Sequence, residues 1–165
     1  MNDPIWLSVA RSFVGIKEIP GLASQPVIVQ WAKDIKAPAY TDDSIPWCAV
    51  FLNRVMLACQ LPMAGIGYDL LRAGSFKGWG QSLPSPALGA VLVFKRPGGH
   101  HVGLYVGERD DAYCVLGGNQ SDGVSLAWIA KERLVACRWP EGHMLPMALP
   151  VMVASDGQAL SANEV

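Results

Sequence analysis

Three polar residues, in the order cysteine, histidine and asparagine, could form a nucleophilic site. Cys48 follows Pro46 at the predicted first turn of a helix, where unpaired N–H groups and the helix dipole favour a thiolate. His101 begins a predicted strand and shares a face with the small Gly103, so it can face an open cleft and act as a base. Asn119 follows a later strand and could hold the imidazole in one tautomer. Together these residues predict covalent catalysis by a thiolate.

Each member of this set also has a purely structural interpretation. Free cysteine is among the most buried residue types, and Cys48 lies on the apolar face of its predicted helix. A histidine pair after "PGG" is typical of a solvated turn, and Asn119 is typical of a turn residue that tolerates a positive φ. The combination favours chemistry more strongly than any single residue does.

Four further residues are candidates for contact with a substrate. Trp47 and Trp79 are the tryptophans that we expect to line a groove, whereas the others are expected in the core. Asp42 and Asp43 are typical of capping or solvated acids, and they could otherwise recognise a substrate amine or a cation.

Hydrophobic spacing predicts the helices that must position these residues. Helices are predicted after Pro4 and Pro26, and the third has Ser44 as cap and Pro46 in its first turn. The stretch 62–86 is rich in Gly, Ser and Pro and predicts a long connection, with one helical turn near its middle, that can line a cleft.

After Gly89 the pattern changes to alternating strands separated by turn residues, which predicts an antiparallel meander. Helices followed by a sheet indicate an α+β fold, with the N-terminal helices packed on the C-terminal antiparallel sheet. We expect one domain over residues 1–140 and an extended or flexible tail over 141–165.

The composition of the chain limits which binding partners and which cellular compartment we expect. The 165-residue chain has a net charge of −1 with scattered Lys and Arg, so neither nucleic acid nor an anionic membrane is an expected partner. No apolar run reaches the ~18 residues of a membrane span, and the N-terminus lacks a secretory pattern, which predicts synthesis in the cytoplasm without membrane insertion. The four cysteines have no zinc-site spacing, so free thiols and no metal or cofactor are expected.

Four stretches resemble the CHAP-type cell-wall hydrolases, which are cysteine- and histidine-dependent amidohydrolases and peptidases related to the NlpC-type peptidases. The resemblance is strongest to a short single-domain prophage and bacterial subgroup, and the stretches lie within residues 6–139. They are ARSFVGIKEIPG, SIPWCAVFLNRVM, LGAVLVFKRPGGHHVGLYVGE and VLGGNQSDGVSLAW.

The resemblance implies a papain-like fold and cleavage of amide bonds in the stem peptides of peptidoglycan through a thioacyl-enzyme. It implies Cys48 as the nucleophile, His101 rather than His100 as the base, and Asn119 as the orienting residue. Gln120 is the reserve choice for that third group and otherwise a substrate contact.

Several functions remain open at this point. Asp42 and Asp43 could attract the free amine of a diamino acid in the stem, which favours an endopeptidase over an N-acetylmuramoyl-L-alanine amidase. A cytosolic thiol peptidase or acyltransferase acting on protein, and a wall-binding module without turnover, are the alternatives. Action on the wall in the periplasm would require delivery by a holin or a secretion system, with an inhibitor or immunity protein as a further partner.

Overall fold

Three α-helices form the first half of the fold. The computed structural model describes residues 3–147, 150–153 and 159–162. The helices are α1 (Ile5–Ser12), α2 (Pro26–Asp34) and α3 (Cys48–Ala58). As predicted, Pro4 precedes α1 and Pro26 opens α2. Within the described ranges, no helix is long and apolar enough to cross a membrane.

The start of α3 differs from the prediction that Ser44 caps it. Trp47 occupies the cap position, and Cys48 is the first helical residue. Ser44 is engaged in a local turn, because its N–H and its hydroxyl both donate to the Asp42 carboxylate. The helix therefore begins at the candidate nucleophile itself.

The second half of the fold is a six-stranded antiparallel sheet. Its strands are β1 (Gln81–Ser82), β2 (Val91–Arg96), β3 (Gly99–Glu108), β4 (Ala112–Gly117), β5 (Ser125–Ala130) and β6 (Leu134–Trp139). Their order across the sheet is β1-β6-β2-β3-β4-β5. The predicted α+β arrangement is therefore correct, with helices first and an antiparallel sheet after them.

The prediction of a simple antiparallel meander is wrong for the last strand, β6. β2 to β5 pair in sequence, but β6 crosses back to pair with β2. In a simple meander β2 would be an edge strand with unpaired backbone N–H and C=O groups between residues whose side chains are completely buried, and β6 pairs with those groups.

α3 lies at the centre of the molecule and packs against α1, α2, β3 and β4. Its side chains are buried on nearly every face, including that of the polar Asn53. The Asn53 amide donates to the Leu70 carbonyl at 3.0 Å and accepts from the Ala64 N–H at 2.8 Å. This residue therefore ties α3 to the connection that follows it.

That connection contains the helical turn expected from the sequence, and it forms two short 3₁₀ segments. They span Gly67–Leu71 and Ala73–Gly78. The second packs against β2, β3 and β6, so the connection lies over one side of the sheet.

Parts of the C-terminal tail are hydrogen-bonded back to the sheet. The Glu108 N–H donates to the Val151 carbonyl at 2.8 Å, and the Val153 N–H donates to the Glu108 carbonyl at 2.9 Å. The Ser161 N–H donates to the Trp128 carbonyl at 2.7 Å. The rest of the predicted tail, at 148–149, 154–158 and 163–165, lies outside the described residues.

Replacing Asn53 should loosen the connection. Asn53→Leu is close in size but leaves the Leu70 carbonyl and the Ala64 N–H without their partner, so the free energy of unfolding should fall by about 2–4 kcal/mol. Chemical denaturation measures this loss. Asn53→Asp keeps the acceptor for Ala64 but sets a buried carboxylate oxygen against the Leu70 carbonyl, so it should cost at least as much. Equal stability of all three proteins would contradict the assigned role.

Candidate active site

Cys48 lies at the junction between α3 and β3. As the first residue of α3 it has N-terminal N–H groups around it that no carbonyl of the helix can bind. The backbone N–H of Val102 lies close enough to the sulfur to stabilise a thiolate. The sulfur is therefore next to the peptide bond that joins His101 to Val102.

The expectation that Cys48 has a lowered pKa is wrong for the free protein. Only 3% of the residue is exposed, and burial raises the pKa of its thiol. The N–H of Val102, the charge of Arg96 and the N–H groups of Ala49 and Cys48 lower the pKa, but by less than burial raises it. The thiol form is thus dominant at neutral pH, and attack on a substrate requires removal of its proton.

His101 lies on β3 opposite Phe94 and is completely buried. The expectation that its ring faces an open cleft is therefore wrong, and it is the neighbouring His100 that lines the cleft. The ring is instead positioned by Gln120, because His101 Nε2 lies 3.0 Å from the Gln120 side-chain oxygen.

The Gln120 amide determines which nitrogen of His101 carries the proton. Gln120 Nε2 donates to the Val115 carbonyl at 3.2 Å and to the Ser125 carbonyl at 2.6 Å. With both of those acceptors bound by the NH₂ group, the amide oxygen must face His101 and accept from its Nε2–H. His101 Nδ1 then keeps its lone pair, as a general base requires.

Among the described residues, no hydrogen bond joins His101 to Asn119, the residue expected to orient the base. It is buried with a left-handed φ of 58°, and its side chain makes no hydrogen bond to the part of the chain that the structure describes. Asn119 is therefore a turn residue with a positive φ, which is one of the interpretations drawn from the sequence. Gln120, the reserve candidate for the third catalytic group, is the residue that contacts the His101 ring.

Gly117 makes room for the contact between His101 and Gln120. A Cβ at this position would lie 2.7 Å from the Gln120 oxygen and 3.3 Å from His101 Nε2. No larger residue fits there without moving the amide.

A cleft with a volume of about 740 Å³ reaches Cys48. The 3₁₀ segments form one wall, and the turn between β2 and β3 forms another. Its polar lining includes His100, which the sequence offered only as the rival base, together with Lys77 and Arg96, which the sequence analysis did not single out. Their places in the sequence could have identified them. Lys77 lies in the connection that was expected to line a cleft, and Arg96 comes directly before the "PGG" turn.

The two tryptophans expected in a groove are part of the core. Trp47 is completely buried beside Trp31, and its indole N–H donates to Glu18 at 2.7 Å. Trp79 packs against Phe76, and its indole N–H donates to the Pro62 carbonyl at 2.8 Å. Their large apolar area is used to anchor α3 and the connection.

Asp42 and Asp43 likewise do not line the cleft and serve local structure. Asp42 accepts from Ser44, and its hydrogen bonds to Ser44 and Thr41 lower its pKa. Asp43 is buried and accepts the backbone N–H of Gln25 at 2.7 Å. The structure thus favours their structural interpretation over contact with a substrate amine.

Among the described residues, no group of three His, Cys, Asp or Glu side chains is arranged to hold a metal ion. The four cysteines, all among the described residues, form no disulfide with one another. The structure places the Cys48 sulfur beside the His101–Val102 peptide bond and pairs the His101 ring with Gln120, an arrangement compatible with acyl transfer by a thiol.

The third member of this group can be identified by mutation. Gln120→Ala should lower kcat/KM by about 10- to 100-fold, because His101 loses the acceptor that fixes its tautomer. Asn119→Gly, which keeps the left-handed backbone, should change it by less than about twofold. Nitrogen chemical shifts of His101 should report a tautomer change only in the Gln120 variant. A larger loss in Asn119→Gly would return the third position to Asn119.

The pH dependence of Cys48 alkylation should follow from its raised pKa. At pH 7 iodoacetamide should label Cys48 more slowly than a free cysteine, and the rate should keep rising above pH ~8.5, the ordinary thiol value. Peptide mapping over a pH series measures this. A plateau already at pH 6 would instead indicate a thiolate paired with an imidazolium.

No protein-family model matches this chain, and no curated protein matches it. The chemistry assigned to the site rests on its own residues and geometry.

Proposed function

We propose that the protein is a cysteine hydrolase of the papain-like type that cleaves amide bonds in the stem peptides of peptidoglycan. The observation that supports this most directly is the cleft that reaches Cys48 at the start of α3. His101, which pairs with Gln120, follows next along the proposed catalytic group. An amide substrate bound in the cleft could therefore meet the Cys48 sulfur.

Catalysis would begin with transfer of the Cys48 proton to His101 Nδ1. The thiolate then attacks the amide carbonyl carbon, and the carbon–nitrogen bond breaks as the imidazolium returns its proton to the leaving amine. Water, deprotonated by the same imidazole, hydrolyses the thioester and restores the thiol. The bond from His101 Nε2 to Gln120 supports this cycle because it stabilises the imidazolium without consuming Nδ1.

The oxyanion would be stabilised by the N-terminus of α3. The N–H groups of Cys48 and Ala49 already interact with the sulfur, so they are directed toward the reacting atoms. The partial positive charge of a helix N-terminus adds to their effect.

Asp42 and Asp43 do not line the cleft, so they do not favour an endopeptidase over an amidase. The cleft is lined by basic residues, including Lys77 and Arg96. Stem peptides carry carboxylates along their length, whereas the lactyl amide borders an uncharged sugar. A basic cleft therefore favours cleavage within or between stem peptides.

Action on the wall would also require export, by a holin or a contact-dependent secretion system, to the periplasm. A producing cell would then need protection, for which an inhibitor or immunity protein that covers the cleft is the expected device.

Digestion of purified peptidoglycan tests the proposal. The wild-type protein should release fragments whose masses show sugar-attached stems cut at an amide bond, and Cys48→Ala should lower the rate by at least ~10³. Circular dichroism of the variant checks that it is folded. Intact stem peptides released with bare glycan would indicate an amidase. Lytic activity in folded Cys48→Ala, or an undigested wall with cleavage of a protein substrate, would refute the proposal.

A further inference from the structure

The cleft next to Cys48 carries an excess of positive charge. Three of its lining residues are cations, Arg72, Lys77 and Arg96, and a single acid, Asp69, lies among them. The chain as a whole has a net charge of −1, so this excess is a local property of the cleft.

The three cations differ in how far they are neutralised. Arg72 lies 3.7 Å from the Asp69 carboxylate, in an exposed pair. Neither Lys77 nor Arg96 forms an ion pair within residues 3–147, 150–153 and 159–162. Their charges are therefore available to an anionic ligand.

Lys77 and Arg96 act on the same region although they come from different elements. Lys77 belongs to the second 3₁₀ segment, and Arg96 ends β2, where its Nε donates to the His100 carbonyl at 3.2 Å. Both charges lower the pKa of His100, after the larger effect of burial. The charge of Arg96 also reaches the Cys48 sulfur. The two cations thus converge on the space between His100 and Cys48.

Small residues keep this space open. Gly74, Gly98 and Gly99 line it, and a Cβ at Gly74 would lie 3.1 Å from His100 Nδ1. With its lowered pKa, His100 is a neutral ring at pH 7 that can donate or accept a hydrogen bond.

We propose that Lys77 and Arg96, with His100 beside them, form a subsite that binds a carboxylate of the substrate next to the amide bond cleaved by Cys48. The inference deepens the proposed function and rests on it for the source of the carboxylate, which is the stem peptide. A guanidinium and an ammonium without acidic partners give such a site both a bidentate donor and a point charge.

Alkylation tests the subsite without requiring any enzymatic activity. Iodoacetate and iodoacetamide form the same carbon–sulfur bond with loss of iodide, and they differ in that iodoacetate carries a carboxylate. The iodoacetate-to-iodoacetamide rate ratio at one pH cancels the thiolate fraction. This ratio should be about three- to tenfold higher at Cys48 than at Cys59, whose pKa is shifted by burial alone. Raising the salt to 0.5 M should reduce the difference.

Charge variants assign the effect to individual residues. Lys77→Gln and Arg96→Gln should each lower the ratio at Cys48 by about two- to threefold, and glutamine retains an N–H donor for the His100 carbonyl. Lys33→Gln is the matched control, since Lys33 is exposed on α2, does not line the cleft and should leave the ratio unchanged. Equal ratios at Cys48 and Cys59, or ratios insensitive to both cleft variants, would overturn the subsite.

A binding experiment identifies the carboxylate. Calorimetry with Cys48→Ala should show that a synthetic stem tetrapeptide binds about tenfold more tightly than the same peptide with its carboxylates amidated, and Arg96→Gln should remove this difference. Equal binding of the two peptides would refute carboxylate recognition. An alkylation bias that persists in a protein unable to digest peptidoglycan would refute the proposed function and support the anionic subsite.

Discussion

The packing of the α3 N-terminus against β3 is the constraint on which the site depends. Cys48 can be next to Val102 only because α3 is buried between the other helices and the sheet, with almost no polar side chain on its surface. Such a core helix cannot rotate or slide without losing several buried apolar contacts at once. The position of the sulfur is therefore determined by hydrophobic packing, and its environment is determined by the backbone of the strand beneath it.

Burial of the reacting groups has opposite effects on their chemistry. It keeps Cys48 protonated in the free protein, yet it also strengthens each hydrogen bond around His101. The Gln120 amide is satisfied on both of its polar ends, so the cost of burying it is offset. This combination favours a site in which proton transfer accompanies the arrival of the substrate.

The hydrophobic periodicity of the sequence was enough to predict the three helices, strands β2 to β6 and the α+β class. The two-residue strand β1 lies in the stretch that was expected to be a connection. Periodicity could not predict that β6 returns to β2, because strand pairing depends on which edge remains free. Cys48 and His101 were identified by residue type and by their place at the start of an element. The choice between the adjacent residues Asn119 and Gln120 depends on one backbone angle, and the basic cleft depends on residues about twenty positions apart that only the folded chain brings together.

The space occupied by Gly117 limits which sequences can keep this site. Any single-base change in a glycine codon that alters the amino acid introduces a side chain, and here its first atom would meet the Gln120 amide. Synonymous codon changes leave the site intact, whereas any change of amino acid at this position displaces the Gln120 amide. Among natural variants, a residue other than glycine at this position should be found only together with a different partner for the histidine.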